Sequence, residues 1–456
     1  MDKIVIEELG KIVGENNVIT RKEQMLNYLT DESPAAVRPK PADDLTLVKP
    51  ASTDQVSDIM RLANNYHTAV YPRGGGTGLV GGAIPTGPGI ILSMERLDKI
   101  EIDKDNMMAI AEAGVTLEEL AAAANAAGLS FPPHPGDENA QVGGLVATNA
   151  GGSRAVRHGV MRNQVRAIQV ILPTGAIMNL GARVHKNNVG YDLMQLLIGS
   201  EGTLGVITKA TLRLYPKSEA TLTLIVPFDK RRDAFSVIPE ILQNASTPLA
   251  VEFVEKDLVE RTAKYLGTNW PVTTGTFYLI IIMAEADNDR VLSESLKVAA
   301  ICSKSTSYET FVAEPKRDQD NILRIRSNIY TVLKSETLDI LDITVPPAAL
   351  EKVVESIEQI ASARDTYLPV YGHAADGNLH IHIMKNQEAI ADAVRDEIYE
   401  IATKTGGVIT GEHGIGKTRT SKLPKFVSSD ELELMKKIKA AFDPNKILNP
   451  GTKLQA

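Results

Sequence analysis

Between residues 45 and 97, short apolar runs alternate with one amphipathic stretch. A strand is predicted over 45–49. A helix follows over 53–66, where Val56, Ile59, Met60 and Ala63 recur on one face and Thr53 serves as N-cap. The theme returns at 109–133 as a strand over 109–114, a capping box of Thr116 and Glu119, an alanine-rich helix and a stop at Gly128. A strand over 205–215 closes this half, and the polar, proline-marked Pro216-Lys217-Ser218-Glu219 reads as a boundary. Beyond it, strands over 221–226 and 277–283 interleave with helices such as 350–363, so an antiparallel sheet covered by helices is expected. The tail, 429–442, is an amphipathic helix stopped by Asp443-Pro444. The fold class is therefore α+β, in three pieces: 1–217, 218–405 and a C-terminal segment 406–456.

Composition narrows the function. A chain of 456 residues is too long for one core, since single cores stop growing near ~250–300 residues. A net charge of −8 without a long Lys/Arg block excludes a nucleic-acid partner. The single cysteine, Cys302, permits no internal disulfide and cannot supply the thiolates of an iron–sulfur cluster, so any such cluster belongs on a partner subunit. Asp2, Lys3, Glu7 and Glu8 stand where an export signal would be apolar, and the longest apolar run, 277–284, is far short of a transmembrane segment. A cytoplasmic protein, at most peripheral to a membrane, is expected.

Chemistry enters with the glycines. Pro72-Arg73-Gly74-Gly75-Gly76-Thr77-Gly78 follows a strand over 68–71, and so flexible a backbone can turn several N–H groups toward one anion such as a pyrophosphate. The loop does not open into a helix within a βαβ unit, which disfavours Rossmann binding of NAD. A second rich stretch holds Pro135-Gly136-Asp137-Glu138-Asn139, Val142-Gly143-Gly144 and Thr148-Asn149-Ala150-Gly151-Gly152-Ser153. With Arg157-His158-Gly159, Lys186-Asn-Asn-Val-Gly-Tyr-Asp192 and Gly199-Ser-Glu-Gly202-Thr-Leu-Gly-Val206-Ile207, these loops resemble the FAD domain of the vanillyl-alcohol oxidase and p-cresol methylhydroxylase type. The resemblance implies a two-part FAD domain (1–217 completed by 406–456) with a cap over 218–405. It also implies FAD contacts at Pro72, Arg73, Gly74, Gly75, Gly76, Thr77, Gly78, Pro135, Glu138, Asn139, Gly143, Gly144, Thr148, Asn149, Gly152, Ser153, His158, Gly159, Gly202, Val206, Ile207 and Asn449. Relatives that attach FAD covalently often carry histidine where this chain has Thr77, so non-covalent FAD is expected, with His134 the remaining attachment candidate.

Four of the eight histidines, His373, His380, His382 and His413, fall between residues 373 and 413. Asp376-Gly377 is a turn signal able to fold His373 back onto His380, and alternation puts His380 and His382 on one strand face. Glu412 and His413 follow a strand over 407–409; two imidazoles and one carboxylate with an open position form a catalytic divalent-metal site. Gly411-Glu-His-Gly-Ile-Gly416-Lys417-Thr418 also spells a P-loop, but Pro424 and the 38 residues left after Thr418 deny it the helix and the remaining domain of a nucleotidase.

Both histidine motifs, with Phe442-Asp443-Pro444 and Ile447-Leu-Asn449-Pro-Gly451, resemble the C-terminal region of FAD-linked D-lactate and D-2-hydroxyglutarate dehydrogenases and of the FAD subunit of glycolate oxidase. By that resemblance His373, His380 and Glu412 hold a divalent metal (Zn, Fe or Mn), His413 is the catalytic base and Arg326 binds the substrate carboxylate, with Arg324 a rival because Ser327 replaces the usual Glu. The implied reaction is oxidation of a D-2-hydroxy acid, D-lactate first and glycolate or D-2-hydroxyglutarate as alternatives. Electrons would go to an electron-transferring flavoprotein, an iron–sulfur subunit or a quinone. Ile340 stands where hydroxyglutarate-oxidising relatives carry lysine.

Overall fold

The computed structural model describes residues 2–454; Met1, Gln455 and Ala456, at the outer ends of the expected pieces, lie outside the described residues. In the N-terminal half, parallel strands Leu45–Val48, Gly89–Ser93 and Val70–Arg73 form a small sheet with Val18–Ile19 antiparallel at its edge. The helix Thr53–Asn65 packs against this sheet through Val56, Ile59, Met60 and Ala63. Its N-cap is Ser52, whose hydroxyl accepts from Gln55 N, so the cap lies one residue earlier than expected. A second, antiparallel sheet runs in the order Ile100–Asp103, Met108–Glu112, Val206–Arg213, Val165–Ile171, Ile177–Gly181. The capping box forms as expected, with Thr116 and Glu119 exchanging side chain-to-backbone bonds at the start of the helix Leu117–Ala126.

The C-terminal half is built on seven antiparallel strands in the order Phe311–Ala313, Ala220–Phe228, Phe277–Glu285, Ala250–Glu255, Val370–His373, Asn378–Met384, Thr337–Thr344. Both faces are covered, and strand alternation divides strand Phe277–Glu285 accordingly. Leu279, Ile281 and Met283 face the core under Asn288–Cys302, Leu350–Ala363 and Ala391–Lys404, while Tyr278 and Ile280 face that under Lys256–Tyr265 and Lys316–Ser327. The chain then returns to the first half: Leu448 bridges to Val70, and Asn449 N donates to Val70 O. No helix among the described residues is long and apolar enough to cross a membrane.

Candidate active site

The two glycine loops face each other across a cleft of about 1340 Å3, counted to its mouth. Ala and Gly packing brings the walls close: a Cβ on Gly143 would lie 2.7 Å from Ala113 Cβ, and one on Gly75 would lie 2.5 Å from Asn139 O. Gly78 and Gly144, by contrast, have nothing within 4 Å where a Cβ would sit, so their bare backbone opens onto the cleft. Buried Arg73 donates to Asn27 O at 2.8 Å and keeps Nη1 without a hydrogen-bond partner at the cleft wall. An exposed glycine backbone beside an unpaired guanidinium nitrogen suits an anionic, pyrophosphate-bearing ligand.

Of the expected cofactor residues, Pro72, Arg73, Gly74, Gly75, Gly76, Thr77, Gly78, Pro135, Gly143, Gly144, Thr148, Gly202, Val206, Ile207 and Asn449 line this cleft. The others are not among its lining residues. Glu138 pairs with His134 at 3.3 Å, and Asn139 buttresses Gly75. Asn149 is the left-handed cap of helix Val142–Thr148 and accepts from Arg162 N. Gly152, at φ +105°, lets the chain pass His134 O, with Ser153 half-buried beside it. His158 packs edge-on to Tyr215, and Gly159 is the cap residue after it. Residues not foreseen also line the cleft, among them Met94, Gln141, Leu145, Gly151 and Glu201.

Glu412 and His413 line the same cleft. The Nε2 atoms of His373, His380 and His413 stand 3.6, 3.4 and 3.7 Å from Glu412 Oε1. Ligands bonded at about 2.1 Å to one tetrahedral cation lie about 3.4 Å apart, so His373 and His380 stand from Glu412 at the spacing of a metal site, with His413 beside them. Backbone geometry brings them together. Gly377, at φ +81°, turns the chain where a Cβ would sit 1.8 Å from Val345 O, and His373 and His380 end with ring centroids 5.4 Å apart. The expected strand over 407–409 is instead two isolated bridges, Val408 to Thr344 and Thr410 to Asp342. What aims Glu412 and His413 is Asp342: its Oδ2 accepts from Thr410 Oγ1 and from the N–H groups of Gly411, Glu412 and His413.

Asp342, His380, Glu412 and His413 also have ligand atoms within 4.8 Å of one another. Asp342 is already engaged elsewhere, with four donors on Oδ2 and a 2.6 Å bond from Asn378 on Oδ1. His373 is oriented from behind by Glu252, whose Oε1 lies 2.6 Å from Nδ1. Burial opposes ionisation of Glu252, but adjacent Arg326 and His373 outweigh it and hold the carboxyl below its ordinary range. Burial lowers His380 to about 3; burial also opposes a charge on His373, but Glu252 and Glu412 outweigh it and raise that imidazole well above its ordinary value. His382 turns out to belong elsewhere: Nδ1 meets Thr337 Oγ1 at 2.7 Å and Nε2 meets Tyr371 OH at 3.1 Å.

Arg326 is 9% exposed and pairs with Glu252 Oε2 at 2.6 Å, over the ring of Tyr371. Its rival Arg324 is exposed and donates to Leu266 O, away from this cluster. The P-loop lookalike also has another use. Glu201 accepts from Ile415 N and Gly416 N, filling that loop with a carboxylate, while Lys417 Nζ is held by Gly82 O, Asn449 and Thr452.

Residues 45–181 match the FAD binding domain, and residues 217–452 match the FAD linked oxidases, C-terminal domain. The chain belongs to the FAD-linked oxidases. It is thus an FAD-linked oxidoreductase, 42% identical to a D-lactate dehydrogenase of Archaeoglobus fulgidus over 98% of each chain. It is 35% identical to a D-lactate dehydrogenase of Anaerostipes hadrus over 97% of this chain and 96% of that one. Its fold is that of p-cresol methylhydroxylase, whose substrate-bound crystal structure superposes with a TM-score of 0.79 at 16% identity, covering 99% of this chain and 96% of that one. The unforeseen supports of this FAD-linked oxidase, Glu252 and Glu201, leave faint traces in the sequence: Glu252 is a carboxylate between the apolar Val251 and Phe253 of strand Ala250–Glu255, and Glu201 lies in a loop read only for its glycines.

Proposed function

We propose that this FAD-linked oxidase converts a D-2-hydroxy acid, D-lactate first, to the 2-oxo acid, with FAD held non-covalently in the glycine-lined cleft. A divalent cation (Zn, Fe or Mn) is held by His373, His380 and Glu412. The observation that carries the reading is the convergence of three imidazole Nε2 atoms on Glu412 Oε1, a residue that itself lines the cleft. The D-lactate dehydrogenases of Archaeoglobus fulgidus and Anaerostipes hadrus support the substrate class.

When bound, FAD supplies the hydride acceptor and the cation supplies Lewis acidity toward the substrate hydroxyl. His413 lines the cleft and accepts the hydroxyl proton at Nε2. Arg326 holds the substrate carboxylate, fixing C2 for transfer. Buried Ile340 offers no charge for a second carboxylate, which favours lactate over hydroxyglutarate. Electrons pass to an electron-transferring flavoprotein, an iron–sulfur subunit or a quinone, in the cytoplasm or at a membrane surface. The division into 1–217, 218–405 and 406–456 follows the same reading, the last piece carrying Glu412 and His413 to the cleft.

Anaerobic titration of the purified protein with D-lactate, glycolate and D-2-hydroxyglutarate tests this through flavin absorbance. D-lactate is expected to bleach the flavin, and His413→Asn is expected to keep FAD while abolishing turnover. A flavin left oxidised by all three acids sinks the reading.

A further inference from the structure

Glu252 is 1% exposed, yet it touches two groups with different tasks. Strands Ala250–Glu255 and Val370–His373 pair with Glu252 opposite His373, so the carboxylate reaches Nδ1 of that histidine through Oε1 at 2.6 Å. Its other oxygen, Oε2, lies 2.6 Å from Arg326 Nη2. Arg326 comes from a different element, the helix Lys316–Ser327, and its guanidinium lies 4.8 Å from the ring centroid of Tyr371. One buried carboxylate therefore spends one oxygen on a histidine of the Glu412 cluster and the other on the arginine beside it.

We propose that Glu252 is a positioning residue that couples the cation site to substrate-carboxylate recognition, by fixing the tautomer of His373 and the placement of Arg326 at once. The proposal rests on the functional reading above. A histidine binds a metal through Nε2 only when the proton sits on Nδ1, and an acceptor at Nδ1 keeps it there. Two carboxylate oxygens are needed, because one accepts from His373 Nδ1 while the other stands in ion-pair contact with the Arg326 guanidinium. Glutamine has nearly the same shape but one acceptor and one donor. If its oxygen faces His373, its NH2 group confronts Arg326. If its oxygen faces Arg326, its NH2 group donates to Nδ1, and the proton moves to Nε2, where it blocks a cation.

That asymmetry gives the test. FAD-loaded wild type, E252Q, R326M and E252Q/R326M are freed of metal by chelation and titrated with Zn2+ against a chromophoric chelator. E252Q is expected to bind Zn2+ about 10- to 100-fold more weakly, the usual cost of losing such an orienting partner. R326M frees the amide to turn its oxygen toward His373, so it should restore much more affinity in the E252Q background than it adds to wild type. In the metal-loaded enzyme, E252Q should also raise KM for D-lactate. If E252Q does not accumulate, E252D carries the test: it keeps the charge, is one methylene too short to reach both partners, and should show the same paired losses. Equal effects of R326M in both backgrounds overturn the proposal. So does wild-type Zn2+ affinity in E252Q or E252D, or a wild type that takes up no Zn2+. Failure of the functional reading is separate, because D-lactate then leaves the wild-type flavin oxidised while the Zn2+ comparison still decides the role of Glu252.

Discussion

Asp342 Oδ2 gathers four donors from residues 410–413, while Oδ1 takes one from Asn378. Only a carboxylate can do both, since an asparagine would turn its own NH2 group toward one set of donors. Asn378 cannot simply rotate to accommodate it, because its Nδ2 also donates to Ile343 O and Thr344 Oγ1. Asp342→Asn is therefore expected to cost about 2–3 kcal/mol of stability, the scale of one charge-assisted bond left unmade, read by denaturant unfolding. Turnover should fall further than stability alone explains, because Glu412 and His413 hang from the same bonds. An unchanged unfolding midpoint would remove Asp342 from this role.

The segment that carries Glu412 and His413 is clamped again downstream. Arg419 donates through Nη1 and Nη2 to Asp339, which is fully buried in strand Thr337–Thr344 and also receives Arg395 Nε. Arg419→Met leaves a buried carboxylate with one cation fewer, and breaking such a pair costs about 3–5 kcal/mol. A chemical-denaturation midpoint that hardly moves would show that Arg395 alone compensates Asp339. The short helix Ala155–His158 offers a pH test. Burial, then Arg157, Arg154 and Arg213, push His158 down to about 4. The unfolded chain then binds this proton over about pH 4–6.5 while the folded chain does not, so stability rises with pH across that window and falls on acidification. His158→Phe should flatten the pH dependence of the melting temperature there, and an unaltered slope would count against it. Legibility follows the same physics. Local signals gave the elements: the helices 350–363 and 429–442 and the Thr116/Glu119 box have the expected bounds and bonds. Glu252, Asp342 and Asp339 act across strands distant in the chain, so spacing along the sequence could not show what each one holds. His382 shares the face of His380 as alternation requires, but alternation does not show its partners, Thr337 and Tyr371.

The cleft joins parts of the molecule that are far apart in sequence: its walls come from residues 72–83, 135–151, 201–207, 412–413 and 449. The halves are tied elsewhere as well, by Tyr330 OH donating to Glu32 O and by Arg157 donating to Thr247 O and Ala284 O. A ligand that binds the folded cleft and not the unfolded chain stabilises whatever unfolds with it, by about 2.7 kcal/mol at 100 times its Kd. The only tryptophan, Trp270, lies in the C-terminal half, buried against Tyr278 and away from the cleft lining. Its fluorescence therefore reports unfolding of the half that contributes few glycine-loop contacts. Because Glu412 and His413 hang from strand Thr337–Thr344 of that same half, filling the cleft should stabilise the Trp270 environment too. The expected result is that removing FAD lowers the Trp270 unfolding midpoint in step with the circular-dichroism midpoint, and adding it back restores both. A Trp270 transition indifferent to FAD would mean that the two halves unfold separately, and that the loop 410–413 does not transmit binding from one to the other.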